Sequence, residues 1–317
     1  MSAEQALATV GLTVGDVLAG TGDALADGRA YLVGSLASGL GNAGSDVDIH
    51  LLVSGLDQQV PAALHFVRDV AVDVEEYPAA WVDRILAAAA EHTAVLGQAP
   101  CEVALGRSID RYTFRWVARW VHAAPLLDGT PPVFTDAQVA WLLPLAVREA
   151  MDQMLLAQAA AELADEVPDG QLPEGARTYL WQRALRLLLE VRCRAAGDVT
   201  TGDKWLPARA ARLGFDLGGA PCRDGYRHAV RQTLGIAVPD VRLAVAVRPA
   251  ADSRRAKLAG REVLVNRHDR LLGDPLACEG LLGTVLREFP AERVLEGVRR
   301  GELDLVVDAD GFEGVLR

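Results

Sequence analysis

Two aspartates, Asp46 and Asp48, stand two residues apart in the run Ser45-Asp46-Val47-Asp48-Ile49. In a β-strand, side chains two residues apart lie on the same face, so the two carboxylates would lie side by side while Val47 and Ile49 point to the other face. Neighbouring carboxylates repel one another unless a cation lies between them. Because hard oxygen ligands favour Mg²⁺, this pattern predicts a magnesium site.

A third carboxylate is available from the later segment 70–77. Its valines at positions 70, 72 and 74 share one face of a strand, which leaves Asp73 and Glu75 on the opposite face. Asp73, between two valines, is the better candidate, and Glu75 is the alternative. Three carboxylates close together could hold two metal ions, an arrangement suited to in-line displacement at phosphorus.

Upstream of the aspartates, Gly34 and Ser35 follow an apolar segment and begin a loop of small residues that ends at Ser45. A glycine lets a phosphate approach the backbone, and a serine offers both its hydroxyl and its N–H to phosphate oxygens. We therefore expect Gly34, Ser35 and Ser45 to contact the phosphates of a nucleotide. The loop and the carboxylates together predict a site for a metal–nucleotide complex.

Taken together, these residues resemble the signature of the nucleotidyltransferases related to DNA polymerase β. That signature is a Gly-Ser after a strand, then Asp-hydrophobic-Asp, then an acidic residue on a later strand. The resemblance covers residues 30–77, and the loop is more similar to the small-molecule and minimal members of the family than to polymerases. It implies that Asp46 and Asp48 bind two Mg²⁺ ions, and that Asp73 binds one of them and accepts the proton of the attacking hydroxyl.

A second, weaker match to the family is the run Gly202-Asp203-Lys204-Trp205. The resemblance implies that Lys204 reaches the triphosphate. Lys204 and Lys257 are the only lysines among 32 basic residues, so this side chain stands out in an arginine-rich sequence. We accordingly expect a segment of the helical part of the chain to cover the nucleotide.

The order of the predicted elements indicates an α+β fold in three parts. Residues 1–133 would form a nucleotidyltransferase catalytic domain with a mixed β-sheet, and residues 134–238 a helical bundle that binds nucleotide and acceptor. Residues 239–317 would form a small α+β module that loosely resembles a winged helix or a small peptide-binding domain.

Local patterns predict the individual elements. In the first part we expect helix over 3–27 with Thr13 as an N-cap, strands over 30–33, 47–53 and 70–77, and a helix over 60–69. From residue 78 the pattern is helical. A capping box at Thr135 to Gln138 would open a helix to about residue 166 with a bend at Pro144, followed by helices over 175–195 and 206–213. In the last part we expect strands over 241–247, 261–265 and 303–307, and helices over 275–288 and 290–299.

Composition narrows the class of protein. The 317 residues include 32 Lys and Arg against 43 Asp and Glu, a net charge of −11, which argues against a nucleic-acid partner because such binding rests on many basic side chains. The sequence shows no apolar run long enough to span a membrane and no signal-peptide pattern. Its four cysteines are far apart, so we expect no disulfide framework and a cytoplasmic location.

The function that these observations favour is transfer of a nucleoside monophosphate from a Mg²⁺-bound triphosphate to a hydroxyl, with release of pyrophosphate. AMP from ATP is the favoured nucleotide, and a small molecule is the favoured acceptor. A protein or peptide is the second acceptor class, and an RNA 3′ end is the third. A non-catalytic protein that binds a nucleotide or another ligand is the alternative from another class, against which the three intact acidic positions argue.

Overall fold

The computed structural model describes residues 1–90, 111–200, 202–216, 220–235, 237–250, 254–258, 261–265, 271–273 and 278–308. These residues form a mixed α+β structure that divides into two compact units. The described residues of the first unit lie within Met1–Ala94, Ser108–Glu149 and Cys193–Phe215. Those of the second unit lie within Ala150–Arg192 and Asp216–Arg317. The three domains expected from the sequence, with boundaries after residues 133 and 238, stay predictions.

The elements follow the chain in an order that alternates helices with short strands. Up to residue 125 they are α1 (Ala3–Leu7), α2 (Val14–Thr21), β1 (Gly28–Val33), the one-turn helix α3 (Gly34–Ala37), β2 (Val47–Val53), β3 (Val60–Val67), β4 (Val70–Pro78), α4 (Ala80–Ala90), α5 (Arg111–Trp120) and β5 (Ala124–Pro125). The helices α6 (Asp136–Glu166), α7 (Ala176–Ala195), α8 (Leu206–Arg212) and α9 (Arg223–Leu234) follow. The last elements are α10 (Val241–Ala244), β6 (Val245–Pro249), β7 (Arg254–Leu258), β8 (Arg261–Val265), β9 (Leu271–Gly273), β10 (Gly280–Leu281), α11 (Leu282–Glu288), α12 (Ala291–Arg300) and β11 (Leu303–Val307).

A five-stranded sheet in the order β3-β4-β2-β1-β5 forms the centre of the first unit. The strands β2 and β4 are parallel, and the other neighbouring pairs are antiparallel. Side chains from one face of β2 and β4, such as Ile49 and Val74, pack in a single apolar core with residues of α1 and α2, such as Leu7 and Val17. The alternation that buries one face leaves the aspartates of both strands on the other face.

The segment predicted as a helix over 60–69 is instead the edge strand β3, which forms an antiparallel hairpin with β4. Its turn is made by Arg68 and Asp69, both with positive φ, at 48° and 66°. The prediction was wrong because no glycine or asparagine marks this turn and because an edge strand with mostly exposed side chains shows no apolar alternation. Pairing with β4 overrides the helix preference of Ala62, Ala63 and Leu64.

Other predicted elements are confirmed. Thr13 caps α2 through the N–H of Asp16, and the strands β1, β2 and β4 lie where the pattern indicated. The capping box is present, since the N–H of Thr135 donates to Gln138 Oε1 over 2.8 Å and the N–H of Gln138 donates to Thr135 Oγ1 over 3.3 Å. The single helix α6 then continues through Pro144 to Glu166. The helical pattern expected over 91–110 lies outside the described residues.

The second unit contains a three-stranded sheet in the order β10-β6-β11 and a second three-stranded sheet β7-β8-β9. Two predictions need correction here. Residues 241–244 are the helix α10, which Asp240 caps, so that strand β6 begins only at Val245. The helix expected over 275–288 begins at Leu282 after the short strand β10, and residues 274–277 lie outside the described part. The winged-helix resemblance stays a prediction.

None of the described helices combines the length and the apolar character that crossing a membrane requires.

Candidate metal and phosphate site

Three carboxylates meet on one face of the first unit's sheet. The parallel register of β2 and β4 pairs Asp48 with Asp73, and Asp46 directly precedes β2. One oxygen atom of each carboxylate lies within 4.8 Å of the others. A divalent ion ligated at roughly 2.0–2.5 Å can bridge such oxygens after small side-chain movements. The triad of Asp46, Asp48 and Asp73 could therefore hold a metal ion.

The electrostatics of Asp48 agree with a cation in this position. Burial raises the pKa of this carboxyl to about 6, and the negative charges of Asp46, Asp73 and Glu75 act in the same direction. The guanidinium of Arg119 opposes them. Without a bound cation, ionised Asp48 is therefore destabilised in the folded protein, and a metal ion would remove that cost.

Glu75, the alternative third carboxylate, has other partners. The Tyr77 hydroxyl donates a hydrogen bond to Glu75, and Gln59 Nε2 donates to Glu75 Oε2 over 3.1 Å and to the Tyr77 oxygen over 3.0 Å. Burial raises the pKa of Tyr77, and the hydrogen bond to Glu75 also raises it, which keeps the phenol protonated. Among the described residues, the structure brings Asp73 rather than Glu75 to the two aspartates of β2.

The turn at Gly34 and Ser35 lies directly beside Asp48. Val33 at the end of β1 pairs with Asp48, and Gly34 follows with a φ of 74°. A Cβ atom at position 34 would clash with the Asp48 carboxylate, so a glycine is required here for both space and conformation. The Ser35 carbonyl accepts hydrogen bonds from the N–H groups of Leu40 and Gly41, each over 2.9 Å, which folds the rest of the loop back on α3.

This turn and two members of the triad, Asp46 and Asp48, help to line a cavity of about 280 Å³. Five of the residues predicted from the sequence line it: Gly34, Ser35, Asp46, Asp48 and Lys204. Asp73 joins the triad without lining the cavity. Ser45 is not among the described lining residues either. Its hydroxyl accepts a hydrogen bond from the N–H of Asn42 over 3.0 Å in the turn before β2.

Lys204 reaches the cavity from a 3₁₀ turn, Asp203–Trp205, that leads into α8. Its Nζ lies 5.1 Å from the centre of the Trp205 ring. Asp198 fixes the segment before this turn. Its buried carboxylate accepts a hydrogen bond from Arg209 Nε over 3.1 Å and forms an ion pair with Arg212. Arg212 also donates from Nη1 to the Ser38 carbonyl over 2.8 Å, so this segment is tied to the loop after Gly34.

Sequence reasoning missed Arg119, His122 and Thr200, which also line the cavity. The guanidinium carbon of Arg119 lies 5.8 Å from the centre of the Trp116 ring. Arg119 lies on α5, and no spacing in the sequence tells which side of this helix faces the sheet. With Lys204 it gives the cavity two basic side chains in addition to the acidic Asp46 and Asp48.

His50 continues the face of Asp46 and Asp48, is buried and also lines the cavity. Trp120 Nε1 donates to its Nδ1 over 2.9 Å, and the Tyr77 ring centre lies 4.6 Å from the imidazole centre. Burial, with a smaller contribution from the positive charge of Arg119, lowers the pKa of His50 to about 3. The side chain is therefore neutral at pH 7 and is held by hydrogen bonding and aromatic packing, which makes it a wall of the cavity.

No protein-family model matches the chain, and no curated protein matches it. The chemistry therefore has to be inferred from the residues themselves. Three carboxylates that could hold a metal ion lie beside a cavity lined by a glycine-serine turn and two basic side chains. This arrangement can bind a divalent cation together with an anionic ligand.

Proposed function

We propose that this chain is a metal-dependent nucleotidyltransferase that transfers a nucleoside monophosphate, AMP first, from a triphosphate to a hydroxyl and releases pyrophosphate. One observation supports this more than any other. The triad of Asp46, Asp48 and Asp73 adjoins a cavity that Gly34, Ser35 and Lys204 line. The same residue types in the same order resemble the polymerase β-related signature. A small molecule is the first acceptor class, followed by a protein or peptide and then an RNA 3′ end.

The proposed cofactor is a pair of Mg²⁺ ions. Asp46 and Asp48 would hold both ions, and Asp73 would complete the ligand set. When bound, the ions neutralise negative charge on the phosphate oxygens. The three acidic side chains fit this role because Asp48, half-buried beside the negative charges of Asp46, Asp73 and Glu75, is stabilised in its ionised form by a neighbouring cation.

The triphosphate would lie in the cavity with its β and γ phosphates toward the turn. The Gly34 backbone and the Ser35 hydroxyl would bind phosphate oxygens at short range, and Lys204 and Arg119 would supply positive charge. Donors and charges that are already in position before the reaction lower its barrier without a further cost of reorganisation. Positioning therefore accounts for most of the rate enhancement in this proposal.

In the reaction itself, an acceptor hydroxyl oxygen attacks the α-phosphorus in line with the bridging oxygen to the β-phosphorus. The Asp73 carboxylate accepts the hydroxyl proton, and a new ester bond forms between the acceptor oxygen and the α-phosphorus. The bond from the α-phosphorus to the bridging oxygen breaks, and its electron pair leaves with pyrophosphate. His50 is neutral and forms part of the cavity wall. It takes no proton in this scheme.

Labelled ATP tests the reaction class. With Mg²⁺ and a panel of alcohols, α-labelled ATP should yield a labelled phosphodiester of AMP and the alcohol, or labelled AMP where water is the acceptor. The label of γ-labelled ATP should appear in pyrophosphate. Asp48→Asn should abolish both products, whereas Asp57→Asn, an exposed acidic control, should leave them unchanged.

Other outcomes separate the alternatives. A γ label that appears on the acceptor, or in inorganic phosphate where water is the acceptor, instead of in pyrophosphate would indicate phosphoryl transfer. Binding of ATP with no pyrophosphate from any acceptor would support a non-catalytic nucleotide-binding protein. If none of the common nucleoside triphosphates with Mg²⁺ raises the melting temperature, and Asp48→Asn changes nothing, the proposal is wrong.

A further inference from the structure

The edge strand β3 presents apolar side chains on the same face of the sheet as the acidic triad. Its antiparallel register with β4 pairs Leu64 with Asp73 and Phe66 with Ala71. Side chains of directly paired residues lie on the same face. Val72 and Val74 point into the core on the other face. Leu64 and Phe66 therefore lie beside the triad, on the strand next to the one that carries Asp73.

These two side chains are unusually exposed for their type. Leu64 is 56% exposed and Phe66 is 69% exposed, the highest values among the described leucines and phenylalanines. They are adjacent on one strand face, so they form a patch rather than isolated surface residues. We name this patch, with Ala71 beside it, the apolar ledge.

The apolar ledge and the cavity lie on opposite sides of Asp73. Residues at the end of β1 and on β2 line the cavity, together with the basic Arg119 and Lys204. The sheet order β3-β4-β2-β1 places β4, with Asp73, between that region and β3. A triphosphate in the cavity would thus leave the ledge side of Asp73 open for the second substrate.

We infer that the apolar ledge binds the acceptor, and that the acceptor is an uncharged alcohol with an aromatic ring next to its reacting hydroxyl. This inference rests on the proposed function. Leu64 and Phe66 would cover the ring, and the hydroxyl would then lie beside Asp73, which accepts its proton. The carboxylates of Asp73 and Glu75 on the same face disfavour an acceptor that carries phosphate.

The two glycosides phenyl β-D-glucoside and methyl β-D-glucoside are matched probes, since only the first carries an aromatic ring. Mn²⁺ in place of Mg²⁺ serves as a second probe, because a bound paramagnetic ion speeds the relaxation of protons close to it. The experiment measures this effect on the glycoside protons in the presence of the 317-residue chain, Mn²⁺ and α,β-methylene-ATP. Wild-type protein should relax the phenyl protons at least fivefold more than the protons of the methyl probe.

Three variants locate the effect. Leu64→Ser/Phe66→Ser should reduce the phenyl effect at least fivefold, with its fold checked by its melting curve. Leu243→Ser, which changes an exposed leucine (51%) far along the sequence, should leave it unchanged. Asp48→Asn should remove the relaxation effect through loss of Mn²⁺, while direct saturation transfer from the protein to the phenyl ring persists.

Several results would overturn the inference while leaving the proposed function intact. They are an unchanged phenyl effect in the double serine variant, an equal effect on both glycosides, and no effect in the wild type despite bound Mn²⁺ and nucleotide. A wild-type dimer that the double serine variant dissociates would assign the ledge to an interface between copies instead. If Mg²⁺–ATP binding itself is absent, the proposed function fails, and the acceptor role of the ledge fails with it.

Discussion

Arg212 on α8 joins two segments of the site, since its Nη1 donates to the Ser38 carbonyl oxygen over 2.8 Å and its Nη2 pairs with Asp198. Ser38 follows the turn at Gly34 and Ser35. Asp198 begins the segment that leads to Lys204. One half-exposed side chain thus links the glycine-serine turn to the lysine that we propose for the triphosphate.

Arg212→Gln should weaken Mg²⁺–ATP binding by about tenfold with little change in melting temperature. A hydrogen bond from a charged group contributes roughly 1.5–3 kcal/mol, and the 40% exposure of this side chain favours the lower end. Titration calorimetry measures the affinity. Arg300→Gln is the control, because Arg300 pairs with Glu296 in the second unit and is 54% exposed.

A double-mutant cycle of Arg212→Gln with Lys204→Gln tests how Arg212 acts. It distinguishes a role in positioning Lys204 from a direct contribution of the positive charge of Arg212 to nucleotide binding. If Arg212 acts by holding the Lys204 segment, Arg212→Gln should have much less effect once Lys204 is already replaced. Independent, additive losses of affinity would mean that Arg212 contributes only its own charge. No loss from Arg212→Gln, alongside a loss from Lys204→Gln, would contradict the positioning role.

Asp48→Asn should stabilise the metal-free protein by about 1 to 2 kcal/mol. A pKa raised from 3.8 to about 6 means that the ionised form opposes folding, at about 1.4 kcal/mol per pKa unit before partial exposure is taken into account. The same substitution should remove the stabilisation by Mg²⁺. Chemical denaturation in EDTA and in Mg²⁺ gives both values, and Asp57→Asn should match the wild type in each. A variant that Mg²⁺ still stabilises like the wild type would exclude the triad as the metal site.

Much of the site could be predicted from the sequence because it depends on strand periodicity. The alternation in β2 and β4 predicts which face carries Asp48 and Asp73, and parallel pairing then brings the two together. The sequence alone did not decide whether Asp73 or Glu75 is the third carboxylate of the triad. It depends on the register between two strands and on the hydrogen bonds that Tyr77 and Gln59 give to Glu75.

The other features of the site depend on tertiary packing, which the local sequence pattern does not encode. The rotation of α5 about its axis determines that Arg119 lines the cavity and that Trp120 contacts His50. The helix predicted over 60–69 failed for a similar reason, since pairing with β4 outweighs the local preference of β3. The apolar ledge becomes visible only when β3 is recognised as a strand.

The pH dependence of folding should show two opposite contributions. For His50 the folded pKa is about 3 against 6.5 unfolded, so its contribution to stability is present above pH 6.5 and is lost as pH falls toward 3. For Asp48 the folded pKa is raised, so the metal-free protein loses stability as pH rises from 3.8 to about 6. Between these values the two slopes partly cancel.

Saturating Mg²⁺ should remove the contribution of Asp48 and make the protein more sensitive to acid between pH 4 and pH 6. His50→Gln keeps a hydrogen-bond acceptor for Trp120. In the same pH range it should lower the slope of the unfolding free energy against pH, by an amount that corresponds to at most one bound proton. Urea unfolding at several pH values, with Mg²⁺ and with EDTA, measures both slopes. Identical slopes in wild type and His50→Gln would show that folding does not lower the pKa of His50.

Gly34 and Gly55 form a matched pair that separates backbone strain from the clash with Asp48. Both have positive φ, at 74° and 80°, but a Cβ atom at position 55 meets nothing within 4 Å, whereas one at position 34 meets the Asp48 carboxylate. Each alanine substitution should cost roughly 1–2 kcal/mol from backbone strain. Gly34→Ala should cost more and should weaken Mg²⁺ binding at least tenfold, because the displaced carboxylate leaves the triad. Denaturation in EDTA and metal titration compare the two variants, and equal Mg²⁺ affinity in both would show that the triad does not depend on close approach of the turn at Gly34.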